Sequence, residues 1–498
     1  MDVTLAYNQH TSCTTSLTSS ALSFATNLQR PPVSFQGQVR EPLLLRQLLL
    51  ALHEVVMSDY TLDMLELLLD PVITVHPDSL FFEAFSNDES SYVRLDAPSD
   101  CFISEATPSY GTTNIDFTWA LRDALSRMRS SRTTTFNVGA GGLAVTTAGP
   151  GGGMHLEQKV RLPESWLKGF LQVQSAMALR PLLFDVRPAD LLTAIAVFQD
   201  QRPPHPPHGL RYELKHGQPV SLLVEPWDTQ VQFKGSHYDG YERTIRVWGR
   251  KRLDLLRYVL PYADRVTVGL LGRGLPHLYI CHCGQYRFTL VLSGWTQNSW
   301  SIGSAFDELA PRGELHPEQT AAVYANLVQH LVASRRRIAD ETGLPTATVE
   351  HALYRLCCSG RVMVEPGGKH YRLRELFAEP LDTETLFGSD QRGAQARQLI
   401  ETGAITLESI VPPDPTGAGR REHKATARVV SDGEHQAIAA VDLDGRLRFG
   451  KCSCAFFQRN IMSRGPCEHI LATRLLLDQH LANEPTSPSF AEGEGHQR

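Results

Sequence analysis

The sequence predicts a mixed α+β protein built from several domains, and three observations support this fold class. The chain has 498 residues, enough for three or four domains at roughly 100 to 200 residues each. Apolar residues make up 42% of the chain and charged residues 20%, as in ordinary globular proteins. Segments with the two-residue alternation of strands follow segments with helical periodicity. We therefore expect separate α+β regions, with no internal repeat.

The first two regions are divided by a connector rich in proline. Residues 1–35 contain many serines and threonines, which predicts a flexible tail. Residues 36–205 then combine helical and strand patterns, and residues 206–315 do so again. The prolines of residues 202–207 cannot continue a helix or a central strand, so they mark the boundary. We expect two α+β domains here.

Residues 316–376 have a different pattern, in which helices come first and a hairpin follows. Gly343 ends the second helix, because glycine readily takes the left-handed conformation found at helix ends. Thr346 is a plausible N-cap for the third helix. This order predicts a winged helix-turn-helix. The expected helices are 317–333, 335–342 and 346–358, and the hairpin is 361–374.

This region has two interpretations, DNA contact or protein docking. A winged helix can place its third helix in the major groove while cations lie near phosphates. However, residues 318–375 hold eight basic and six acidic groups, and Glu350 lies on the reading face. Both interpretations stay open. The candidate contact residues are Thr346, Thr348, His351 and Arg355 on the third helix, with Arg335, Arg336 and Arg337 before it.

The C-terminal part of the chain predicts a small module that follows a linker. Residues 377–424 are polar and broken by prolines and glycines, which indicates a connector. Residues 425–482 show a hairpin, a further strand and a final helix. The composition of residues 483–498 predicts a disordered tail.

Four residues of this module have the spacing of metal ligands. Cys452 and Cys454 are one residue apart, and Cys467 and His469 repeat that spacing after twelve residues. Three thiolates and one imidazole are a donor set that tetrahedral Zn²⁺ prefers. With four protein ligands no coordination position remains open for a substrate. The sequence therefore predicts one structural zinc ion.

The surface around this site is expected to be basic. Residues 446–482 hold six basic groups against Glu468 and Asp478, a net charge of +4. Such a surface is a candidate for contact with a partner or a nucleic acid. Its candidate contact residues are Arg446, Arg448, Lys451, Arg459 and Arg464.

Several other classes of protein do not fit the sequence. The amino terminus lacks a basic start and an apolar core, and no apolar run reaches the length of a membrane span. Nine thinly spread cysteines fit a reducing cytoplasm, and the glycine-rich segments contain no phosphate-binding loop. The chain shows no catalytic cluster. We expect a cytoplasmic protein that is not an enzyme, with no membrane partner and no small-molecule substrate.

The ligand pattern, CxC followed by CxH, resembles the SWIM zinc finger. A resemblance to bacterial SWIM zinc-finger proteins extends from about residue 36 over most of the chain. It implies zinc binding and a complex with a MoxR-type AAA+ ATPase and a von Willebrand factor A (vWA) protein. The segments that carry it include 111–117, 159–166, 246–250, 271–276, 292–295 and 464–469.

These observations favour a zinc-binding, non-catalytic adaptor that contacts protein or nucleic acid through its C-terminal modules. One alternative is a DNA-binding regulator that uses the winged helix. A second is an accessory subunit of a nuclease or transposase, because SWIM fingers also accompany transposases of the Mutator type.

Overall fold

The chain folds into two compact units. In the computed structural model the first unit comprises Met1–Asp390 with Ile461–Gly465, and the second comprises Gln391–Asn460 with Pro466–Arg498. No helix among the described residues is long and apolar enough to cross a membrane. The structure describes residues 12–15, 20–23, 32–59, 71–139, 141–158, 162–200, 209–272, 275–293, 300, 315–375, 392–413, 422–442, 447–460 and 466–483.

The described part of the first unit contains 23 strands and seven α-helices. The strands are Ser12–Thr15 (β1), Ser20–Ser23 (β2), Ser34–Val39 (β3), Val72–Val75 (β4), Ser79–Phe85 (β5), Ser91–Pro98 (β6), Phe102–Ile103 (β7), Gly111–Asn114 (β8), Thr134–Gly139 (β9), Gly142–Thr147 (β10), Gly153–Gln158 (β11), Leu162–Pro163 (β12), Leu182–Val186 (β13), Leu210–Leu214 (β14), Ser221–Val224 (β15), Thr229–Gln232 (β16), Arg243–Val247 (β17), Arg265–Leu270 (β18), His277–Cys283 (β19), Tyr286–Leu292 (β20), Val332–Ser334 (β21), Val362–Val364 (β22) and His370–Leu373 (β23). The helices are Pro42–Val56 (α1), Trp119–Ser126 (α2), Glu164–Met177 (α3), Pro188–Asp200 (α4), Pro317–His330 (α5), Arg335–Thr342 (α6) and Thr346–Cys358 (α7), with 3₁₀ turns at Ser99–Cys101, Arg250–Tyr258 and Leu260–Tyr262.

An eight-stranded antiparallel sheet is the largest element of the first unit. Its strand order is β13-β18-β19-β20-β6-β5-β4-β8. Strands β6 and β20 pair with Leu95 opposite Phe288, so the sheet joins the two predicted α+β regions. Alternation within single strands predicts that strands exist, but it does not show which distant strands pair. Strands from both sides of the predicted boundary near residue 205 therefore share one sheet.

Helix α3 packs on this sheet through an aromatic cluster. The ring of Phe85 lies 5.3 Å from that of Trp166 and 5.0 Å from that of Phe170. Gly169 makes this approach possible, because a Cβ atom there would lie 2.8 Å from the Phe85 ring. Cys281 and Cys283 are also buried in the sheet, on β19.

Smaller sheets complete the first unit. A five-stranded sheet has the order β11-β10-β9-β3-β7, and a four-stranded sheet has the order β16-β15-β14-β17. Strand β2 pairs with both β1 and β12, although the composition of residues 1–35 predicts a flexible tail. Composition reports average polarity and gives no information about pairing of this kind.

Residues 316–375, here called the three-helix segment, contain α5, α6, α7 and a three-stranded sheet of order β21-β23-β22. Helix α6 is capped by Ser334 Oγ, which accepts from Arg337 N–H at 3.3 Å. It ends at Gly343, whose φ of 69° is the left-handed conformation that the sequence predicts. Helix α7 includes Thr346, and Pro345 occupies the N-cap position. The prediction of Thr346 as N-cap is therefore wrong by one residue.

The β22–β23 hairpin is held against the large sheet by two ion pairs, of which one is fully buried. Arg372 donates to both carboxylate oxygens of Asp78, at 2.6 and 2.9 Å. Arg374 pairs with Glu83, whose side chain is fully buried. The Leu373 carbonyl accepts from His76 Nε2 at 3.0 Å, and burial lowers the pKa of His76 to about 3, so this imidazole stays neutral. The strands of the hairpin are thus packed into the first unit, while its tip at Lys369 and His370 is exposed.

The second unit is a four-stranded sheet with helices packed on it. Its strands, Ile405–Val411 (β24), Glu422–Val430 (β25), Glu434–Asp442 (β26) and Leu447–Cys452 (β27), are antiparallel neighbours in chain order. Its helices are Arg392–Glu401 (α8), Ala455–Asn460 (α9) and Glu468–Asn483 (α10). Alanines of β25 and β26, among them Ala427 and Ala439, form the buried side of the sheet.

Residues 392–411, predicted as part of a linker, belong to this unit. Helix α8 packs against α10, and β24 forms the edge of the sheet beside β25. Of the residues in β24 only Ile405 is buried. Ile405 and Leu407 alternate with polar residues, but an irregularity in the pairing after Leu407 interrupts this pattern, so the strand gives only a short signal in the sequence.

Candidate metal centre

The first cysteine pair lies where a strand meets a short helix. Cys452 is the last residue of β27, and Cys454 directly precedes α9. The Cys454 N–H points at Cys452 Sγ over 3.4 Å, and the Phe457 N–H points at Cys454 Sγ over the same distance. Backbone N–H groups directed at both sulfurs stabilise the thiolate form that binds a metal.

The second pair of ligands lies at the start of α10. Cys467 directly precedes the helix, and its carbonyl accepts from the Leu471 N–H at 3.0 Å. His469 is the second residue of the helix. The thiolate of Cys467 therefore lies near the positive end of the helix dipole. The Arg392 guanidinium donates to the Pro466 carbonyl at 3.1 Å, which ties α8 to this corner.

These four side chains form a closed cluster of donor atoms. The three sulfurs and the imidazole nitrogen lie within 4.8 Å of one another. Cys452 Sγ and His469 Nδ1 are 3.6 Å apart. Tetrahedral zinc, with bonds of about 2.3 Å to sulfur and about 2.0 Å to nitrogen, places two such ligands about 3.5 Å apart. The geometry and the chemistry of the donors therefore fit zinc.

All four ligands are buried, as is typical of a structural zinc site. The exposed fractions are 4% for Cys452, 4% for Cys454, 0% for Cys467 and 2% for His469. Zinc requires all three cysteines as thiolates, and the bound metal itself stabilises that form. Four buried protein donors leave no open position for a substrate.

Three residues that the sequence did not single out complete the surroundings of His469. The turn between β25 and β26 carries Ser431 and Asp432, and His435 follows on β26. Ser431 Oγ lies 3.1 Å from His469 Nε2, and the His435 ring lies 4.7 Å from the His469 ring. We call Ser431, Asp432 and His435 the turn cluster. Nothing in the local pattern marks them, because they precede His469 by more than thirty residues.

The candidate contact residues of the three-helix segment differ in their exposure. Thr346 and Arg355 are exposed on α7, whereas Thr348 and His351 are half-buried. Glu350 lies between Arg335 and Arg180 and pairs with both. The other two candidate arginines also face carboxylates, Arg336 with Asp340 at 3.9 Å and Arg337 with Glu341 at 2.7 Å.

The structure describes only some of the candidate contact residues near the metal centre. Lys451 and Arg459 are exposed, on β27 and α9 respectively. Arg448 belongs to β27, but its side chain lies outside the described part of the chain. Arg446 and Arg464 also lie outside the described residues.

The fold and the site together define a zinc finger whose ligands come from a strand end and a helix start. Residues 439–473 match the family model of the SWIM zinc finger. This segment of the chain is therefore a SWIM zinc finger, as the ligand pattern predicts. The match includes all four ligands and does not reach the turn cluster.

Comparison with whole proteins adds little. No curated protein matches the chain by sequence. Similar solved structures include the proliferating cellular nuclear antigen of Entamoeba histolytica, at 13% identity and a TM-score of 0.39, covering 52% of this chain and 97% of that one. The PCNA2–PCNA3 complex of Sulfolobus tokodaii matches at 9% identity and a TM-score of 0.39, covering 52% and 98%. The PCNA of Thermococcus kodakaraensis matches at 13% identity and a TM-score of 0.38, also covering 52% and 98%. TM-scores below 0.5 do not establish a common fold.

Proposed function

We propose that this protein is a zinc-binding, non-catalytic adaptor that binds protein or nucleic acid through its SWIM finger and its three-helix segment. The observation that carries this proposal is the closed donor set of Cys452, Cys454, Cys467 and His469. Because all four donors are buried, zinc would hold the second unit together and would not meet a substrate. A zinc ion used in this way supports a binding module and not an active site.

We further propose that the three-helix segment is a winged helix that docks protein. The order of α5, α6, α7 and the β22–β23 hairpin supports this fold. A wing that reads DNA must be free to reach the nucleic acid, whereas this hairpin is tied down by Arg372 and Arg374. Carboxylates beside Arg335, Arg336 and Arg337 also reduce the positive charge that phosphates would attract.

The partners we propose are a MoxR-type AAA+ ATPase and a vWA protein in a cytoplasmic complex. Their support is the resemblance of the chain to bacterial SWIM zinc-finger proteins. The exposed Lys451 and Arg459 beside the finger would suit an acidic surface of such a partner.

Purification of the tagged full chain from native lysate tests this proposal. We expect the ATPase and the vWA protein to be recovered with the wild-type chain after nuclease treatment, as identified by mass spectrometry. The Cys454→Ser variant should recover less of any partner that the finger binds. The adaptor proposal would be contradicted if no ATPase were recovered after nuclease treatment and no nucleic acid were recovered from lysate left untreated.

The exposed Arg355 and Thr346 on α7 favour DNA recognition as the second candidate function. Under the protein-docking proposal, we expect duplex DNA to bind no more tightly than about 10⁻⁴ to 10⁻⁶ M, the range of non-specific binding. Arg355→Ala should then change the affinity less than about twofold, like the control Arg129→Ala on another exposed surface. Mobility shifts over a series of salt concentrations measure both. Nanomolar binding of one sequence, weakened tenfold or more by Arg355→Ala alone, would establish the regulator instead.

A further inference from the structure

The turn cluster forms a connected chain of hydrogen bonds around one side of the metal centre. Ser431 Oγ donates to Asp432 Oδ1 at 2.9 Å. The same carboxylate oxygen accepts from His435 Nε2 at 2.9 Å. His435 Nδ1 then faces Ser453 Oγ at 3.5 Å, and Ser453 lies between the ligands Cys452 and Cys454. This series of hydrogen bonds therefore begins beside the ligand His469 and ends at the loop that carries the ligands Cys452 and Cys454.

The direction of these hydrogen bonds determines the protonation of His469. Ser431 donates its only hydroxyl proton to Asp432, so toward any other group its oxygen can only accept a hydrogen bond. His469 Nε2, 3.1 Å away, must then be the protonated nitrogen that donates to it. The carboxylate of Glu468, 3.7 Å from Nε2, also faces this proton. In a neutral imidazole the other nitrogen, Nδ1, then carries the free lone pair.

Nδ1 is also the nitrogen that points into the donor cluster, 3.6 Å from Cys452 Sγ. The ring of His435 lies over that of His469, with 4.7 Å between centroids and 31° between planes. His435 is largely buried, at 15% exposure of its side chain, and so it restricts rotation of the ligand ring. Hydrogen bonding and packing thus favour the same orientation of His469.

We propose that Ser431, Asp432 and His435 are positioning residues that hold His469 for zinc coordination through Nδ1. The proposal rests on zinc binding at the SWIM site and extends that site beyond residues 439–473, the segment that matches the family model. A carboxylate that acts on a ligand histidine through a hydroxyl also makes the ligand nitrogen more basic. The β25–β26 turn is therefore part of the metal centre.

Zinc affinity of the full chain, measured by competition with a chelator, tests this role. We expect Ser431→Ala to raise the Kd for zinc about 10- to 100-fold, the usual effect of losing an outer partner of a ligand. Ser431→Thr keeps the hydroxyl and should stay within about threefold of wild type. Asp432→Asn should weaken binding in the same direction, and Glu434→Gln, a carboxylate-to-amide change in the same hairpin, should not.

Cobalt substitution separates positioning from a general effect on folding. In Ser431→Ala we expect a weaker and shifted visible spectrum at saturating Co²⁺, because His469 would be held less well, while Glu434→Gln keeps the wild-type spectrum. If Ser431→Ala bound zinc with the wild-type Kd and kept the wild-type cobalt spectrum, the positioning role would be overturned. A wild-type chain that binds no zinc would instead refute the metal centre itself.

Discussion

Cys454→Ser is expected to abolish stoichiometric zinc binding and to unfold the second unit while the first unit stays folded. The sulfur of Cys454 is one of four buried donors, and three donors hold zinc far less tightly. Zinc contributes free energy on the order of 10 kcal/mol to folding in sites of this kind. The second unit is small and buries few large apolar side chains, among them Val429, Ile470 and Leu477, so we expect zinc to supply a large share of its stability.

The chain offers a direct way to separate the two units in this experiment. All six tryptophans lie between residues 119 and 300, so tryptophan fluorescence reports only on the first unit. We expect the fluorescence transition in urea to be unchanged, while hydrogen exchange shows lost protection in α10. Cys283→Ser, in the first unit, is the matched control, because burial raises the pKa of Cys283 to about 12 and keeps it a neutral thiol. Retained protection of α10 in Cys454→Ser would contradict the role of zinc as the main stabiliser.

Arg374→Met is expected to lower the free energy of unfolding of the first unit by about 3 to 5 kcal/mol. The side chains of Arg374 and Glu83 pair in the interior, with exposed fractions of 3% and 0%. After the change Glu83 still accepts the hydrogen bond from Tyr92 Oη, at 2.5 Å, but it has lost the cation with which it pairs. A buried carboxylate without its cation is destabilising, because the protein interior does not replace the lost hydration.

Two further variants distinguish this explanation from a loss of packing. Adding Glu83→Gln to Arg374→Met removes the unpaired charge and keeps an acceptor for Tyr92, so we expect part of the stability to return. Arg336→Met removes an ion pair whose arginine side chain is 92% exposed. It should change the free energy of unfolding by no more than about 0.5 kcal/mol. Urea denaturation followed by tryptophan fluorescence measures all three. The account of the ion pair would be wrong if Glu83→Gln made Arg374→Met still less stable.

The features that the sequence could predict are those set by local spacing. The four zinc ligands form two pairs that are each one residue apart, and such pairs suffice to identify a metal site. Helix α6 likewise begins after Ser334 and ends at Gly343, as residue preferences at helix ends predict. In both cases the structural consequence lies within a few residues of its cause.

The features that the sequence could not predict depend on contacts between distant segments. The pairing of β6 with β20 joins residues nearly two hundred positions apart. The alternation of the edge strand β24 is interrupted after Leu407, so only a short strand signal remains. Ser431 and His435 become part of the metal centre only when the β25–β26 turn folds back onto α10. Spacing along the chain carries little signal for these.

The most direct test of the central claim is metal analysis of the purified full chain combined with X-ray absorption at the zinc edge. We predict one zinc per chain, bound by three sulfurs at about 2.3 Å and one nitrogen at about 2.0 Å. Protein purified without chelators that contains no zinc and takes up none would contradict the account. So would bound zinc whose ligands are mainly oxygen.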